Sequence, residues 1–107
     1  MKIKAGVLLK NLQPQMALAA VVIDSVFRRA GYDATITSAA DGNHKGKPVA
    51  GDTVDPHYAG KALDIRTQDV KDEDIVSLVA ALKLCLGEEF VVIFEGSHIH
   101  MQWGHVA

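Results

Sequence analysis

The sequence is poor in several residue types, and each shortage excludes a class of protein. A single cysteine, Cys85, allows neither an internal disulfide nor a metal site built from several thiolates. Aromatic residues make up only 6% of the chain and the formal net charge is -2, which argues against a nucleic-acid partner. No segment approaches the roughly 20 apolar residues of a membrane span.

We also expect no signal peptide in these residues, because Lys10 interrupts the apolar run Gly6-Val7-Leu8-Leu9 too early. We therefore expect a protein that is cytoplasmic when synthesised and has no membrane partner. A target outside the cell would require a separate release step, as in phage lysis.

What is present is an ordinary globular composition. The chain has 107 residues, 49% of them hydrophobic and 22% charged, so we expect one domain over residues 1–107 and a monomer.

Apolar periodicity predicts two helices and four strands. One helix begins near Pro14 and stops before Gly31, and a second covers 72–86. The leucines around Cys85 predict a buried thiol. The predicted strands cover 33–38, 61–67, 90–94 and 98–103, with 90–94 in the centre of the sheet because it is so apolar. This order predicts an α+β fold, a small antiparallel sheet with two main helices packed on one face.

Residues 39 to 60 differ from the rest, because they hold four of the nine glycines. A loop of about 20 residues is unusual in a compact domain and is often functional.

Two segments carry candidate metal ligands. In the strand His98-Ile99-His100 both imidazoles share a face, and Asp64 lies on the face of its own strand opposite to the apolar residues. His57 precedes that strand and could fold back over it. Any three of these four groups would suffice to hold a metal ion. The alternative is a solvated face whose histidines are incidental to function.

Three segments together resemble the M15 zinc peptidase family: Thr37-Ser38-Ala39-Ala40-Asp41-Gly42-Asn43-His44, the run from His57 to Arg66, and Glu95-Gly96-Ser97-His98-Ile99-His100. This family contains D-alanyl-D-alanine carboxypeptidases, dipeptidases and phage L-alanyl-D-glutamate endolysins, and it shares its fold with the hedgehog signalling domain. The similarity runs from about residue 14 to residue 103. It implies a hedgehog/DD-peptidase-like fold and a Zn2+ cofactor.

The resemblance also implies residue roles. His57 and Asp64 would be the first two zinc ligands, and the third would be His100 or His98, with His100 favoured. His98 would then lie beside the metal, where it could hold substrate or a tetrahedral intermediate.

Glu95 is the candidate general base. Gly96-Ser97 could turn or bulge the chain, and a regular strand would place Glu95 and His98 on opposite faces unless Gly96 forms a bulge. Some relatives carry the acid three residues before the final histidine, where this chain has Ser97. Arg66 could bind a substrate carboxylate or pair with a nearby acid in solvent, and His44 could line the cleft.

The expected activity is hydrolysis of an amide bond in the peptide stem of bacterial peptidoglycan, of the D,D-carboxypeptidase or the L-alanyl-D-glutamate endopeptidase type. The alternative is a non-catalytic zinc-binding module of the same fold. A third hypothesis is an α+β domain without metal.

Overall fold

The computed structural model describes residues 1–7, 9, 12–39 and 61–104. Two helices and five strands follow one another along the chain. They are β1 (Lys2–Ile3), α1 (Pro14–Arg29), β2 (Thr35–Ser38), β3 (Ala62–Arg66), α2 (Asp72–Leu86), β4 (Phe90–Phe94) and β5 (His98–Trp103).

All five strands form one sheet in the order β1-β2-β3-β5-β4. The last four strands are paired antiparallel, whereas β1 runs parallel to β2. The α+β prediction is therefore confirmed. The sheet is mixed rather than purely antiparallel because it includes β1, an unpredicted strand that is only two residues long.

Both helices begin and end where their sequences predict. Pro14 is the first residue of α1, where its missing N–H costs no hydrogen bond, and the chain leaves the helix through Gly31 at φ +89°. The first turn of α2 carries Asp72, Glu73 and Asp74, whose charges favour the positive end of the helix dipole.

One face of the sheet packs against the two helices. Leu63 and Ile65 of β3 and Ile99 and Met101 of β5 are fully buried there. They form one core cluster with residues of both helices, among them Met16, Ile23, Phe27, Leu78 and Leu82. This face fixes β3 and β5 side by side in the middle of the sheet.

Two expectations about burial were wrong. Strand β4 lies at the edge of the sheet, not in its centre, and its Ile93 and Phe94 are 42% and 41% exposed. Cys85 is exposed rather than buried, and so is its neighbour Leu84 in the last turn of α2. Apolar neighbours in sequence are not neighbours on a helix face.

Among the residues that the structure describes, no helix is long and apolar enough to cross a membrane.

Candidate metal centre

The second face of the sheet collects the polar residues of β3 and β5. The antiparallel register pairs Asp64 with His100 and Arg66 with His98. Because side chains alternate along a strand, these four residues share the face opposite to the helices. Asp64 and His100 are nevertheless buried, with exposed fractions of 8% and 7%.

Glu95 reaches the same face through a tight hairpin turn. Gly96 and Ser97 join β4 to β5, and Gly96 has φ +87°, a conformation that hairpin turns require and that glycine adopts without strain. The Glu95 N–H donates to the carbonyl of His98 at 2.8 Å, which sets the two residues opposite one another. Gly96 and Ser97, which could turn or bulge the chain, thus form a turn between two strands.

Asp64, Glu95 and His98 form a group that could hold a metal ion, since their ligand atoms all lie within 4.8 Å of one another. Nε2 of His98 lies 3.4 Å from Oε1 of Glu95 and 3.8 Å from Oδ2 of Asp64. Ligand atoms about 2.1 Å from a tetrahedral zinc ion would lie about 3.4 Å apart. Both the donor types and their spacing therefore fit a metal ion.

A hydrogen bond holds the other ring nitrogen of His98 in place. Its Nδ1 lies 2.9 Å from Oγ of Ser97, so that Nε2 faces the two carboxylates. Metal-binding histidines commonly bond their second ring nitrogen in this way, which fixes the orientation of the ring.

His100 is held at both ring nitrogens. Nδ1 lies 2.9 Å from Oδ1 of Asp64, and Nε2 lies 2.7 Å from Oε1 of Gln102. Oε1 of Glu95 also lies near this Nδ1, at a distance of 3.9 Å. The His100 ring is therefore oriented by a buried amide on one side and aimed at carboxylates on the other.

The surroundings of His100 raise the pKa of its imidazole. Burial alone would lower this pKa, but the hydrogen bonds to Asp64 and Gln102 and the negative charges of Asp64 and Glu95 outweigh it and raise the pKa above 6.5. The site thus favours a positive charge between His100 and Asp64, and a metal ion would compete with the proton for that role.

Four of the seven residues predicted for the site converge in the structure: Asp64, Glu95, His98 and His100. Arg66 lies on the same face, opposite His98 in the register and partly exposed. His44 and His57 fall outside the described residues, so their predicted roles remain predictions.

Two residues of the site were not predicted as its members. Gln102 follows His98 and His100 at the two-residue spacing of a strand face, and that spacing was the available signal. Ser97 drew notice only as a missing acid, whereas its hydroxyl orients His98.

Comparison of the chain with protein-family models, with curated proteins and with solved structures gives no match.

Proposed function

We propose that this protein is a zinc-dependent peptidase that hydrolyses an amide bond in the peptide stem of bacterial peptidoglycan. One observation carries the proposal: Asp64, Glu95 and His98 bring two carboxylates and an imidazole within metal-binding distance of one another, beside His100. The resemblance of the surrounding segments to zinc peptidases supplies the substrate class. Such an enzyme would act on the cell wall once released from the cell.

Asp64 and His100 would hold the zinc ion, together with His57 as the sequence predicts. The support for His100 is that its Nδ1 faces Asp64 while its Nε2 is hydrogen-bonded to Gln102. Imidazole and carboxylate donors suit zinc. A bound zinc ion would polarise a substrate carbonyl and lower the pKa of a coordinated water to about 7.

His98 offers a second arrangement, since its Nε2 belongs to the group with Asp64 and Glu95. The two arrangements differ in which histidine is essential for metal binding. With His100 as ligand, His100→Ala removes zinc binding and His98→Ala leaves it nearly intact. The reverse outcome would assign the ligand role to His98.

Glu95 is the general base of the proposed reaction. It is exposed, so substrate can reach it, and its Oε1 points toward both histidines. Its carboxylate accepts a proton from the attacking water and returns it to the leaving amine. His98, whose Nε2 lies 3.4 Å from Oε1 of Glu95, would donate a hydrogen bond to the developing negative charge, and Arg66 would bind a substrate carboxylate.

A zinc-binding module without catalytic activity is the second candidate. It is favoured by Ser97, which occupies the position of the acid in some relatives and here bonds to His98.

The deciding experiment incubates zinc-loaded protein with purified peptidoglycan stem peptides and measures new amino groups. We expect release that a chelator abolishes, and a fall of about 10²- to 10⁴-fold in Glu95→Gln with zinc still bound. Glu88→Gln, at another exposed acid, is the matched control and should match the parent. No release by the folded, zinc-loaded parent would reject the peptidase, and zinc binding without release would support the module.

A further inference from the structure

The strand register arranges the face opposite to the helices as three rows of side chains that run across β3, β5 and β4. The first row is Arg66, His98 and Glu95, the second is Asp64, His100 and Ile93, and the third is Ala62, Gln102 and Val91. Residues paired across antiparallel strands share a face, so each row is a line of neighbours. The ionisable side chains lie together at one end of these rows, and apolar side chains border them on the side of β4.

Ile93 is the apolar residue that lies next to the candidate site. It pairs with His100 across the strands, and Glu95 follows it two residues later on the same face. Paired residues in antiparallel strands have Cα atoms about 4.5–5.5 Å apart, and residues i and i+2 of a strand are about 7 Å apart. The Ile93 side chain therefore flanks both His100 and Glu95.

The side chain of Ile93 is open to solvent although it is apolar. Its exposed fraction is 42%, whereas His100 beside it is 7% exposed and Ala62 in the third row is 1% exposed. An exposed apolar side chain at the rim of a polar cluster can remove from water an apolar group of a bound molecule. A substrate held by the cluster would therefore meet one apolar wall beside its reacting bond.

The two bonds proposed as substrates share a feature on their carbonyl side. In D-alanyl-D-alanine and in L-alanyl-D-glutamate alike, alanine supplies the carbonyl group, and its side chain is a methyl group. Only the Cα atom separates this methyl group from the reacting carbon. A carbonyl held beside Glu95 and His100 would thus bring the methyl group within reach of Ile93, which flanks both residues.

We propose that Ile93 is a specificity-determining residue, which contacts the side chain of the residue that supplies the scissile carbonyl and favours an alanine methyl group over a polar side chain. This inference rests on the proposed function and names the residue that recognises one part of the substrate. The polar cluster supplies the chemistry, and Ile93 supplies an apolar contact next to it.

The test uses the zinc-loaded full chain and a pair of peptides. A stem peptide that contains both bonds is compared with an analogue in which the alanine before the cleaved bond is serine of the same chirality. Serine adds one hydroxyl group, so the two peptides differ chiefly in the polarity of that side chain. The readout is the ratio of the two kcat/KM values, which a residue with only a structural role would leave unchanged.

We expect the parent to prefer alanine by about 10-fold, at the lower end of the range for apolar pockets, because Ile93 is partly open to solvent. Ile93→Thr keeps a branched side chain suited to a strand but adds a hydroxyl group, and its preference should fall to about 1- to 2-fold. Ile93→Val stays apolar and should retain most of the preference. Ile3→Thr, at a 51% exposed position of β1, is the matched control and should keep the parent's ratio.

Equal cleavage of both peptides by the parent, or an unchanged ratio in Ile93→Thr, would overturn the inference and leave the peptidase standing. If the parent cleaves neither peptide, the peptidase is rejected, and the Ile93 methyl signals in ¹H–¹³C spectra, assigned with Ile93→Val, decide the inference. A larger shift of these signals with the alanine peptide than with the serine peptide supports the contact, and equal or absent shifts overturn it. The same spectra of the parent decide if Ile93→Thr fails to fold.

Discussion

The two faces of strands β3 and β5 are built from alternating residues, yet they make opposite use of burial. On the helix side, Leu63 and Ile99 are fully buried in an apolar core. On the other side, Asp64, His100 and Gln102 are also buried, but as a hydrogen-bonded polar cluster. Burial of apolar side chains stabilises the fold. Burial of polar side chains costs free energy unless hydrogen-bond partners replace the lost water.

This difference indicates that the buried polar cluster, and not the apolar core, is the part of this small domain in which to look for function. A buried cluster of ionisable groups is weak evidence for stability, because taking charges out of water is expensive. Its presence in the middle of the sheet, next to an exposed Glu95, is the basis of the metal site proposed above.

The largest effect on stability should come from the apolar face. Ile99, which lies between His98 and His100 in the sequence, is fully buried. Ile99→Ala should lower the free energy of unfolding by about 2–5 kcal/mol, because it removes packed atoms and leaves a cavity. Urea unfolding of the metal-free protein measures this loss. The folded fraction should still bind zinc, since the polar face is unchanged.

Ile99→Val is the matched control for that prediction and should cost only about 0.5–1.5 kcal/mol. Loss of zinc binding in folded Ile99→Ala, without the expected loss of stability, would contradict the division between the faces.

A smaller, pH-dependent effect should come from the polar face. The folded-state pKa of His100 lies above its unfolded value of 6.5, so the charged ring stabilises the metal-free protein. This contribution is complete below pH 6.5 and is lost as the pH rises through the raised folded-state pKa. Urea unfolding across this range, in parent and His100→Gln, measures it.

The difference between the two curves isolates His100 from other titrating groups. A parent and a variant whose stabilities change in parallel with pH would contradict the raised pKa. In the zinc-binding reaction the direction reverses, because protons compete with the metal and affinity should rise with pH.

The smallest effect is expected on the outer side of α2. Leu84 is 85% exposed, so Leu84→Lys should change the free energy of unfolding by no more than about 0.5 kcal/mol. Thermal or urea unfolding checks this against Leu82→Ala, at a fully buried position of the same helix. A large loss in Leu84→Lys would mean that this surface is covered in solution.

Much of the fold could be predicted, because it depends on local signals. Helical periodicity and the glycines at 31 and 87 set both helices, and β-branched runs located four strands. The position of β4 could not be predicted from its apolar composition, since strand order depends on pairing between distant segments. The two-residue β1 is too short to produce a periodic signal.

The candidate site was predictable to the extent that alternation controls it. The shared face of His98 and His100 follows from strand geometry, and so does the orientation of Asp64 away from the core. The approach of Glu95 depended on a turn at Gly96, which the sequence left open between a bulge and a hairpin. The link from Gln102 to His100 depends on side-chain rotamers and could not be derived from spacing alone.

The central claim is that the polar face of the sheet is a metal centre. Its most direct test compares zinc binding by the parent and by Asp64→Ala, both first purified without metal. Elemental analysis after zinc reconstitution and removal of free metal gives the number of ions per chain. We predict one zinc ion in the parent and none in folded Asp64→Ala, because Asp64 is a buried carboxylate that both histidines approach. A parent that retains no zinc, or a folded Asp64→Ala that retains as much as the parent, would contradict the account.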